Sequence, residues 1–500
     1  MGCLLYPEGF VPAQGSVPDQ TIEDLQLERL ASFMSRSHYY KITAEELCAL
    51  WSEDSSVIAH RQAVLRDITD NPKLEAALDK LLGCIDGWEG RIGGLRRGLD
   101  EMAVGINMES FGYLDSYIQK LDTVYHTLCG ISYSSPGMKA LFSVLERMHN
   151  SERYQQLEEQ FQTLCAGYVS PKRMRLAFNL AGDAKPSLLK LLYLEPYTGE
   201  EKARGKKRKL QLTQNAVEMN MMLLQRTVQS AAPAITAFVM RETAELRNVK
   251  KDLIFFLSAA KLCRSFSDRG LKWCFPESCP PDDKAFTVKN MFNPLLVVSG
   301  RETIVPNDIE LKKGGEILIM TGANQGGKTV FLMSVGLTQW LYQLGIAVPC
   351  EHASLSPVKS IFTVFAPNKS ESRQRGLLAE EAGHIAAAVG GIRENCMALF
   401  NEPLTSTSPS ETKSISLEII AAFKAAGVRG IWVTHIHELA FMRKKLEQNI
   451  PWGSALGSLK IVMDQTGSES TYKITRAEPD FNSHAYDVLR RKGVTLQSGT

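Results

Sequence analysis

The sequence has almost no excess of charge of either sign. Its 57 lysine and arginine residues balance 55 aspartate and glutamate residues, which gives a formal net charge of +2 over 500 residues. A protein that binds nucleic acid through its surface as a whole carries a large positive excess, so that class is excluded. Any contact with nucleic acid must use a local basic patch or the surface formed by a dimer.

Targeting segments, membrane spans and clustered cysteines are also lacking. The first ten residues, MGCLLYPEGF, have no basic part and no long apolar part, so we predict no secretory signal. The longest mostly apolar run, residues 331–350, contains several serine, threonine and glutamine residues, which favours a buried helix over a membrane span. Only Cys274 and Cys279 lie close together among ten cysteines, without a second Cys/His pair. These features predict a cytoplasmic protein with free thiols and no membrane partner.

The first half of the chain has the spacing of amphipathic helices. Apolar residues recur every three or four positions over residues 154–164 and again over residues 246–260. Three prolines in the segment 274–284 then end the pattern, because a Pro-Pro pair cannot continue a helix. We therefore expect a helical region over residues 1–285 and a second domain over residues 286–500.

The second half alternates short apolar strands with helical stretches. The strand candidates are residues 316–320, 397–400 and 430–434. Strands separated by helices are typical of parallel sheets, because the crossover between parallel strands needs a helix. The sequence thus predicts an α/β domain with a mainly parallel sheet.

A phosphate-binding motif follows the first of these strands. Its eight residues fit the pattern G-x-x-x-x-G-K-[ST], and they are Gly322, Ala323, Asn324, Gln325, Gly326, Gly327, Lys328 and Thr329. Glycines let backbone N–H groups surround a phosphate chain, and the N-terminus of the next helix adds partial positive charge. We expect Lys328 to contact the β- and γ-phosphates of ATP, and the hydroxyl of Thr329 to bind Mg²⁺.

Two polar residues close the second strand candidate. Most P-loop sites have an aspartate at the position of Asn401, where it holds Mg²⁺ through water. Asn401 can still hydrogen-bond a water on the metal, but it lacks the negative charge, so weak Mg²⁺ binding and slow turnover follow as a hypothesis. Glu402 is the candidate for the base that orients or deprotonates the attacking water.

The third strand candidate ends at Thr434 and His435. A polar residue at the end of a buried strand next to a P-loop can reach the γ-phosphate of a bound nucleotide. A histidine on its own is usually structural. Together with the P-loop and Glu402, however, His435 is the candidate for a residue that senses this phosphate by a hydrogen bond.

Several of these motifs resemble those of the MutS mismatch-repair ATPases. The run TGANQGGKT, residues 321–329, is similar to T-G-P-N-M-G-G-K-[ST] of that family. Upstream, residues 305–309 match V-P-N-D-I, and downstream residues 434–440 resemble T-H-Y-H-E-L-A. The resemblance covers about residues 290 to 495, and residues 54–72 are similar to the start of the MutS core domain. It implies an ABC-type ATPase domain that follows a helical core and lever.

The chain also departs from the MutS pattern. It leaves no room for a mismatch-binding domain with a Phe-x-Glu wedge, and it shows neither a separate clamp domain over about residues 165 to 230 nor an Smr nuclease tail. The loop over residues 370–381, which a partner subunit presents across the interface in this family, lacks the family's serine-threonine pair. The resemblance is therefore to a short MutS-related form.

We expect a MutS-like ATPase that forms a head-to-tail homodimer on binding ATP and Mg²⁺. Each subunit would complete the site of the other with its Arg373–Glu381 loop. DNA is the expected partner, in mismatch repair or a related transaction. The dense basic run Lys202–Lys209 is the candidate patch for phosphates, although a solvated loop is the simpler interpretation because no aromatic residue is interleaved.

Three alternatives remain open from the sequence. The first is a nucleotide-gated scaffold that hardly hydrolyses ATP and has a partner other than DNA, which Asn401 and the altered loop favour. The second is an ABC transporter subunit, which the helical N-terminal half and the run at residues 305–309 disfavour. The third is a kinase, which leaves the order from the P-loop to His435 unexplained.

Overall fold

A computed structural model of the chain describes residues 4–11, 17–37, 39–98, 106–159, 171–180, 186–196, 237–322, 326–366, 377–464 and 470–478. The chain forms two compact units. The first consists mainly of residues 70–253, and the second contains residues 5–69 and 254–500. The predicted division into residues 1–285 and 286–500 follows composition and stays a prediction.

Helices form most of the N-terminal half of the described chain and alternate with strands in the C-terminal half. In chain order, the helices are α1 (Asp19–Asp24), α2 (Leu27–Met34), α3 (Ala44–Cys48), α4 (Ser55–Asp70), α5 (Pro72–Gly98), α6 (Ile106–Cys129), α7 (Pro136–His149), α8 (Ala244–Asn248), α9 (Lys250–Ser267), α10 (Pro294–Val298), α11 (Lys328–Gln343), α12 (Leu377–Gly391), α13 (Pro409–Ala425) and α14 (His437–Asn449). Within the described ranges, none of the helices has the length and apolar character needed to span a membrane.

The strands form three sheets. In chain order, they are β1 (Pro171–Leu180), β2 (Pro186–Pro196), β3 (Glu277–Ser278), β4 (Phe286–Met291), β5 (Asn307–Leu311), β6 (Glu316–Thr321), β7 (His352–Leu355), β8 (Ile361–Phe365), β9 (Met397–Asn401), β10 (Arg429–Val433), β11 (Ala455–Met463) and β12 (Ser470–Arg476). β1 pairs with β2, the order β3-β7-β4-β5 makes a four-stranded sheet, and β12-β11-β6-β10-β9-β8 makes a six-stranded sheet.

The first unit packs its helices around aromatic side chains. The rings of Trp88 on α5 and Tyr117 on α6 are 5.9 Å apart, and Tyr117 meets the edge of Tyr154 at 6.2 Å. Tyr154 lies in helical residues 152–159, so the helix predicted from that residue is present as far as the described chain extends. The other predicted helix corresponds to α9, which begins at Lys250 after a break at Val249.

The first unit also contains a β-hairpin that the sequence analysis did not predict. β1 and β2 pair antiparallel, with residue 174 opposite residue 194 and residue 178 opposite residue 189. The helical prediction for this half is therefore wrong over residues 171–180 and 186–196. The strand pattern was present in the alternation of Met174, Leu176, Phe178 and Leu180, which has the period of two that strands require.

The six-stranded sheet of the second unit sets the geometry of the site. β8, β9, β10, β6 and β11 run parallel, and only β12 at the edge is antiparallel. In the four-stranded sheet, β3 and β7 pair parallel, whereas β4 pairs antiparallel with both β5 and β7. The predicted mainly parallel arrangement is therefore confirmed for the six-stranded sheet only. In the six-stranded sheet, the central strands β6, β9 and β10 are fully buried, which explains their nearly continuous apolar sequences.

The register of the central strands brings three carboxyl ends together. Val433 at the end of β10 lies opposite Asn401 of β9 on one side and opposite Met320 of β6 on the other. The sheet is held in this position by a core in which Phe400 stacks on Trp432 with ring centroids 4.8 Å apart. Side chains that follow these strands must therefore meet at one edge of the sheet.

Residues 5–69 belong to the second unit because buried hydrogen bonds attach them to it. Thr21 on α1 donates to the carbonyl oxygen of Ile361 at 2.7 Å. The fully buried Arg61 on α4 donates to the carbonyl oxygen of Leu344 at 3.3 Å. The segment 274–284, where the prolines predict the end of the helical region, is likewise part of this unit, since β3 within it pairs with β7.

Candidate functional site

The predicted phosphate-binding loop joins β6 to α11. β6 ends at Thr321, and α11 begins at Lys328 directly after Gly327, whose φ is 88°. Glycine adopts this left-handed conformation at little cost, whereas a side chain is strained there. Residues 323–325 of the loop lie outside the described chain. The strand, the glycine turn and the helix N-terminus are thus arranged as phosphate binding requires.

The ammonium group of Lys328 lies at the centre of a polar network. Its Nζ donates to the carbonyl oxygen of Gly322 at 2.8 Å and lies 3.1 Å from Glu402 Oε1 and 3.2 Å from His435 Nδ1. His435 Nε2 in turn lies 2.6 Å from Glu402 Oε2. One neutral tautomer of the imidazole satisfies both contacts, because Nε2–H donates to the carboxylate while Nδ1 accepts from Lys328.

Burial and pairing shift both charged groups of this network. Burial lowers the pKa of Lys328 below its usual value, although the neighbouring Glu402 opposes the shift. Burial alone would raise the pKa of Glu402, but the hydrogen bond from His435 and the charge of Lys328 outweigh it and hold this pKa below its usual value. The carboxylate is therefore charged at neutral pH and is fully engaged by its two partners.

The backbone at Glu402 is in an uncommon conformation. Its φ is 53°, in the left-handed region that costs a non-glycine residue about 1–2 kcal/mol. The N–H of Glu402 donates to the carbonyl oxygen of Val433 at 3.0 Å, which fixes the turn directly after β9. Strain of this kind persists only where the surroundings impose it, and it is common at functional sites.

Asn401 and Thr329 lie side by side, as the sequence predicted for a shared metal site. The amide nitrogen of Asn401 donates to Thr329 Oγ1 at 3.2 Å, and the amide oxygen lies 3.4 Å from the same hydroxyl. Asn401 is buried, whereas Thr329 is exposed at the start of α11. A hydroxyl and an amide oxygen are hard oxygen ligands, so this pair fits one side of a Mg²⁺ shell that keeps several waters.

A cleft of about 1050 Å³ opens from the P-loop toward the four-stranded sheet. Lys328, Thr329, Asn401 and Glu402 line one end of it. The rest of the wall includes residues to which the sequence analysis gave no role, namely Asn293, Arg301, Glu302, Val305, Asn307 and Tyr472. Val305 and Asn307 of the run at residues 305–309 thus lie in the wall of the cleft.

Asn307 joins two segments of the cleft wall. Its side-chain nitrogen donates to the carbonyl oxygen of Tyr472 at 3.0 Å, and its side-chain oxygen accepts from the N–H of Ile474 at 2.8 Å. The start of β5 is thereby held to β12. Tyr472 is about half exposed and has a φ of 56°, and no pattern in the sequence marks it as a site residue.

The loop expected to reach a partner subunit is described only at its end. Residues 367–376 lie outside the described chain, and α12 begins at Leu377. Glu381 is buried and accepts hydrogen bonds from Thr405 Oγ1 at 3.0 Å and from the hydroxyl of Ser406. This carboxylate thus holds the turn that follows Glu402 in its own chain. The basic run Lys202–Lys209 also lies outside the described residues.

Two protein-family models match the chain in separate parts. The model described as MutS2 N-terminal domain matches residues 53–269, and the model described as MutS domain V matches residues 318–484. The first match covers the helical region, and the second begins within β6 and includes the P-loop, Glu402 and His435.

Curated relatives carry the same family name. A protein named Endonuclease MutS2 from Staphylococcus epidermidis is 26% identical over 266 residues, which is 52% of this chain and 32% of that relative. Endonuclease MutS2 from Staphylococcus aureus strain Newman is 26% identical over 282 residues, 56% of this chain and 33% of the relative. The matched part of the chain thus spans about a third of each relative. Both models describe MutS-type domains, and together with the curated relatives they support membership of the MutS family over residues 53–269 and 318–484.

Proposed function

We propose that this protein is a MutS-type ATPase that binds ATP with Mg²⁺ at the P-loop and hydrolyses it. The observation that carries the proposal is the convergence of Lys328, Glu402 and His435, whose side chains come within 3.2 Å of one another at the strand ends beside Thr329 and Asn401. A lysine for phosphates, a carboxylate for the attacking water and a neutral imidazole donor are the groups that phosphoryl transfer to water needs.

In this proposal, Lys328 changes partners when nucleotide binds. In the structure, its ammonium group forms an ion pair with Glu402 and donates a hydrogen bond to the carbonyl oxygen of Gly322. Phosphate oxygens compete for the same donors, since hydrogen bonds to ionised groups are the stronger ones. When Lys328 turns to the phosphates, Glu402 loses the charge that lowers its pKa. The carboxylate then becomes a better proton acceptor only after substrate has arrived.

Thr329 would bind the metal through its hydroxyl, and Asn401 would hydrogen-bond a water on the metal through its amide oxygen. Mg²⁺, when bound, supplies positive charge next to the phosphates. His435 stays within reach of Glu402 and keeps the carboxylate oriented. The cleft is large enough for a nucleotide, because ligand pockets of about 300–1000 Å³ hold small molecules of this size. Tyr472 and Val305 also line this cleft and are available to contact the bound nucleotide.

Turnover measurements test this function. We expect the full chain to release phosphate from ATP with Mg²⁺, and we expect Glu402→Gln to lose this activity by about 10²- to 10⁴-fold, as for removal of a general base. Glu418→Gln on the exposed face of α13 is the matched control, since it removes the same charge outside the site. A wild type without turnover above the Glu402→Gln background would instead support the nucleotide-gated scaffold.

Asn401→Asp is expected to strengthen Mg²⁺-dependent nucleotide binding. The substitution keeps the size of the side chain and adds a negative charge next to Thr329 Oγ1, which lies 3.2 Å from the present amide nitrogen. Carboxylates are stronger ligands for Mg²⁺ and its waters than amides are. A Mg²⁺ titration of fluorescent-nucleotide affinity should therefore reach half-saturation at lower metal concentration. An unshifted titration would show that Asn401 lies outside the metal shell.

We further propose that the protein works as a homodimer on DNA. The P-loop, Glu402 and His435 lie at one edge of the sheet. A second subunit that covers this edge would shield the reacting phosphate from bulk water while the attacking water stays in the site. A two-fold arrangement gives both subunits equivalent sites. Residues 286–500 would then form the ATPase domain and residues 1–285 the core and lever-like region.

DNA binding is expected to depend steeply on salt. Because the net charge is only +2, affinity must come from a local patch, and Lys202–Lys209 is the densest basic run in the sequence. About four phosphate contacts would give a slope of log K against log salt near −3.6. Replacing Lys206, Lys207, Arg208 and Lys209 with glutamine should weaken binding to all duplexes alike and flatten this slope.

The control for this experiment removes the same number of charges elsewhere. Replacing Lys312, Lys313, Lys444 and Lys445 with glutamine changes four exposed side chains outside the run. Gel shifts with matched and mismatched duplexes compare the proteins across a salt series. Equal losses in both variants would show that the basic run is an ordinary solvated loop. A strong preference of the wild type for mismatched duplex would contradict the expectation that no wedge is present.

A further inference from the structure

Two histidines and a carboxylate meet where α6 lies against α7 in the first compact unit. Asp122 and His126 are one turn apart on α6, and His149 is the last residue of α7. His126 Nε2 lies 3.3 Å from Asp122 Oδ1, and His149 Nε2 lies 3.2 Å from the same oxygen. The three ligand atoms all lie within 4.8 Å of one another.

These distances fit ligand atoms around a metal ion as well as they fit long hydrogen bonds. A hydrogen bond between a charged nitrogen and a carboxylate is usually about 2.7–2.9 Å long. Around a tetrahedral zinc ion, bonds of about 2.1 Å place any two ligand atoms about 3.4 Å apart. The observed separations of 3.2 and 3.3 Å lie closer to the second value.

The contacts of His149 leave Nε2 available as a ligand. Its Nδ1 lies 3.0 Å from the side-chain oxygen of Asn150, and its ring stacks on Tyr125 with centroids 4.0 Å apart. An Nδ1–H that donates to this amide oxygen places the lone pair on Nε2, which faces the carboxylate of Asp122. In that tautomer, a cation placed between Nε2 and the carboxylate can bind both. Histidine ligands of metals usually have such a donor contact on the other ring nitrogen.

The carboxylate of Asp122 is paired with the two imidazole rings. Within the described chain, the ion pairs of Asp122 are those with His126 and His149. The nearby basic side chain of α7, Arg147, pairs instead with Glu245 at 3.0 Å. The side chains of His126 and Asp122 are 66% and 46% exposed, so an ion can enter from solvent and water can take a fourth position.

We propose that Asp122, His126 and His149 form a binding site for a divalent transition-metal ion of the zinc type. Two ligands come from α6 and one from α7, so the ion would tie the C-terminal half of α6 to the end of α7. Imidazole nitrogens with one carboxylate suit zinc rather than Mg²⁺, which takes oxygen ligands. The site uses no residue of the nucleotide cleft, and its role is to stabilise the helical unit.

Titration of the chelator-treated full chain with ZnCl₂ tests the proposal. We expect wild type to bind one equivalent of zinc more than His149→Ala and Asp122→Asn do, with affinity at this site reduced by more than about 100-fold, because even outer-shell changes cost 10- to 100-fold. Zinc should raise the Tm of wild type more than that of either variant. CoCl₂ should give the visible bands of four-coordinate cobalt without thiolate charge transfer, which separates this site from the cysteines.

Two further proteins serve as controls. Asp115→Asn removes an equal charge from α6 outside the cluster, and His352→Ala removes an exposed histidine of β7. Both should bind zinc as wild type does. Asp122→Asn keeps the shape of the side chain, so its result counts even if His149→Ala is less stable. Equal zinc stoichiometry in wild type and Asp122→Asn, or cobalt bands that persist in this variant, would overturn the proposal.

Discussion

Replacing Lys328 with alanine is expected to abolish ATP binding at accessible nucleotide concentrations. The ammonium group is the positive charge at the start of α11 that can face the β- and γ-phosphates, and it is buried beside Glu402 and the carbonyl oxygen of Gly322. Hydrogen bonds to charged groups contribute about 1.5–3 kcal/mol each, so losing contacts to two phosphates should weaken binding by at least about 100-fold. Calorimetric titration with a non-hydrolysable ATP analogue measures the change.

Lys444→Ala is the matched control, because this lysine of α14 is exposed and its contact with Glu478 at 3.8 Å is a weak surface pair. It should bind the analogue as wild type does. Circular dichroism of Lys328→Ala checks the fold, since the substitution leaves Glu402 with His435 as its partner in the network. Unchanged affinity in Lys328→Ala would contradict the assignment of the P-loop.

Glu402→Gln is expected to hold ATP and to accumulate as a dimer. Glutamine has nearly the size of glutamate but cannot take a proton from the attacking water, so bound ATP stays uncleaved. The substitution also removes the negative charge that lies 3.1 Å from Lys328 Nζ, which frees the ammonium group for the phosphates. Light scattering with ATP and Mg²⁺ should therefore report twice the mass of the nucleotide-free protein.

Two measurements give the baseline: light scattering of Glu402→Gln without nucleotide, and light scattering of Glu418→Gln with ATP and Mg²⁺. Wild type should form the dimer only transiently, because hydrolysis returns it to the resting state. The double variant Lys328→Ala with Glu402→Gln should remain monomeric in ATP, since it cannot bind the nucleotide that closes the interface. A Glu402→Gln protein that binds ATP yet stays monomeric at every concentration would contradict the shared-site proposal.

The sequence predicted the elements around the site because each rule involved is local. Buried parallel strands appear as continuous apolar runs, and the structure has β6, β9 and β10 where the runs occur. Carboxyl ends of neighbouring parallel strands lie at one edge of the sheet, so Asn401 and His435 could be placed near Lys328 without coordinates. The glycine turn before Lys328 follows in the same way from strand, loop and helix order.

The interactions that join distant parts of the chain could not be predicted. The contact between Lys328 and Glu402 depends on the side-chain conformations in the folded cleft. The opposite charges of the two residues do not by themselves specify this pair. Asn307 holds Tyr472 across 165 positions, and no periodicity connects them. Arg61 donates to Leu344 across 283 positions, so the place of the first helices beside the sheet is likewise a tertiary effect.

The division of the chain has a consequence for the order in which the protein can fold during synthesis. The unit that carries the P-loop takes residues 5–69 from the start of the chain and residues 254–500 from its end. Its first helices leave the ribosome early, but Leu344, which accepts from Arg61, is made long afterwards. Residues 70–253 are complete before that, so the first unit can fold before the second unit is fully synthesised. Helices α1 to α4 therefore reach their final packing only after the later residues of the second unit have been made.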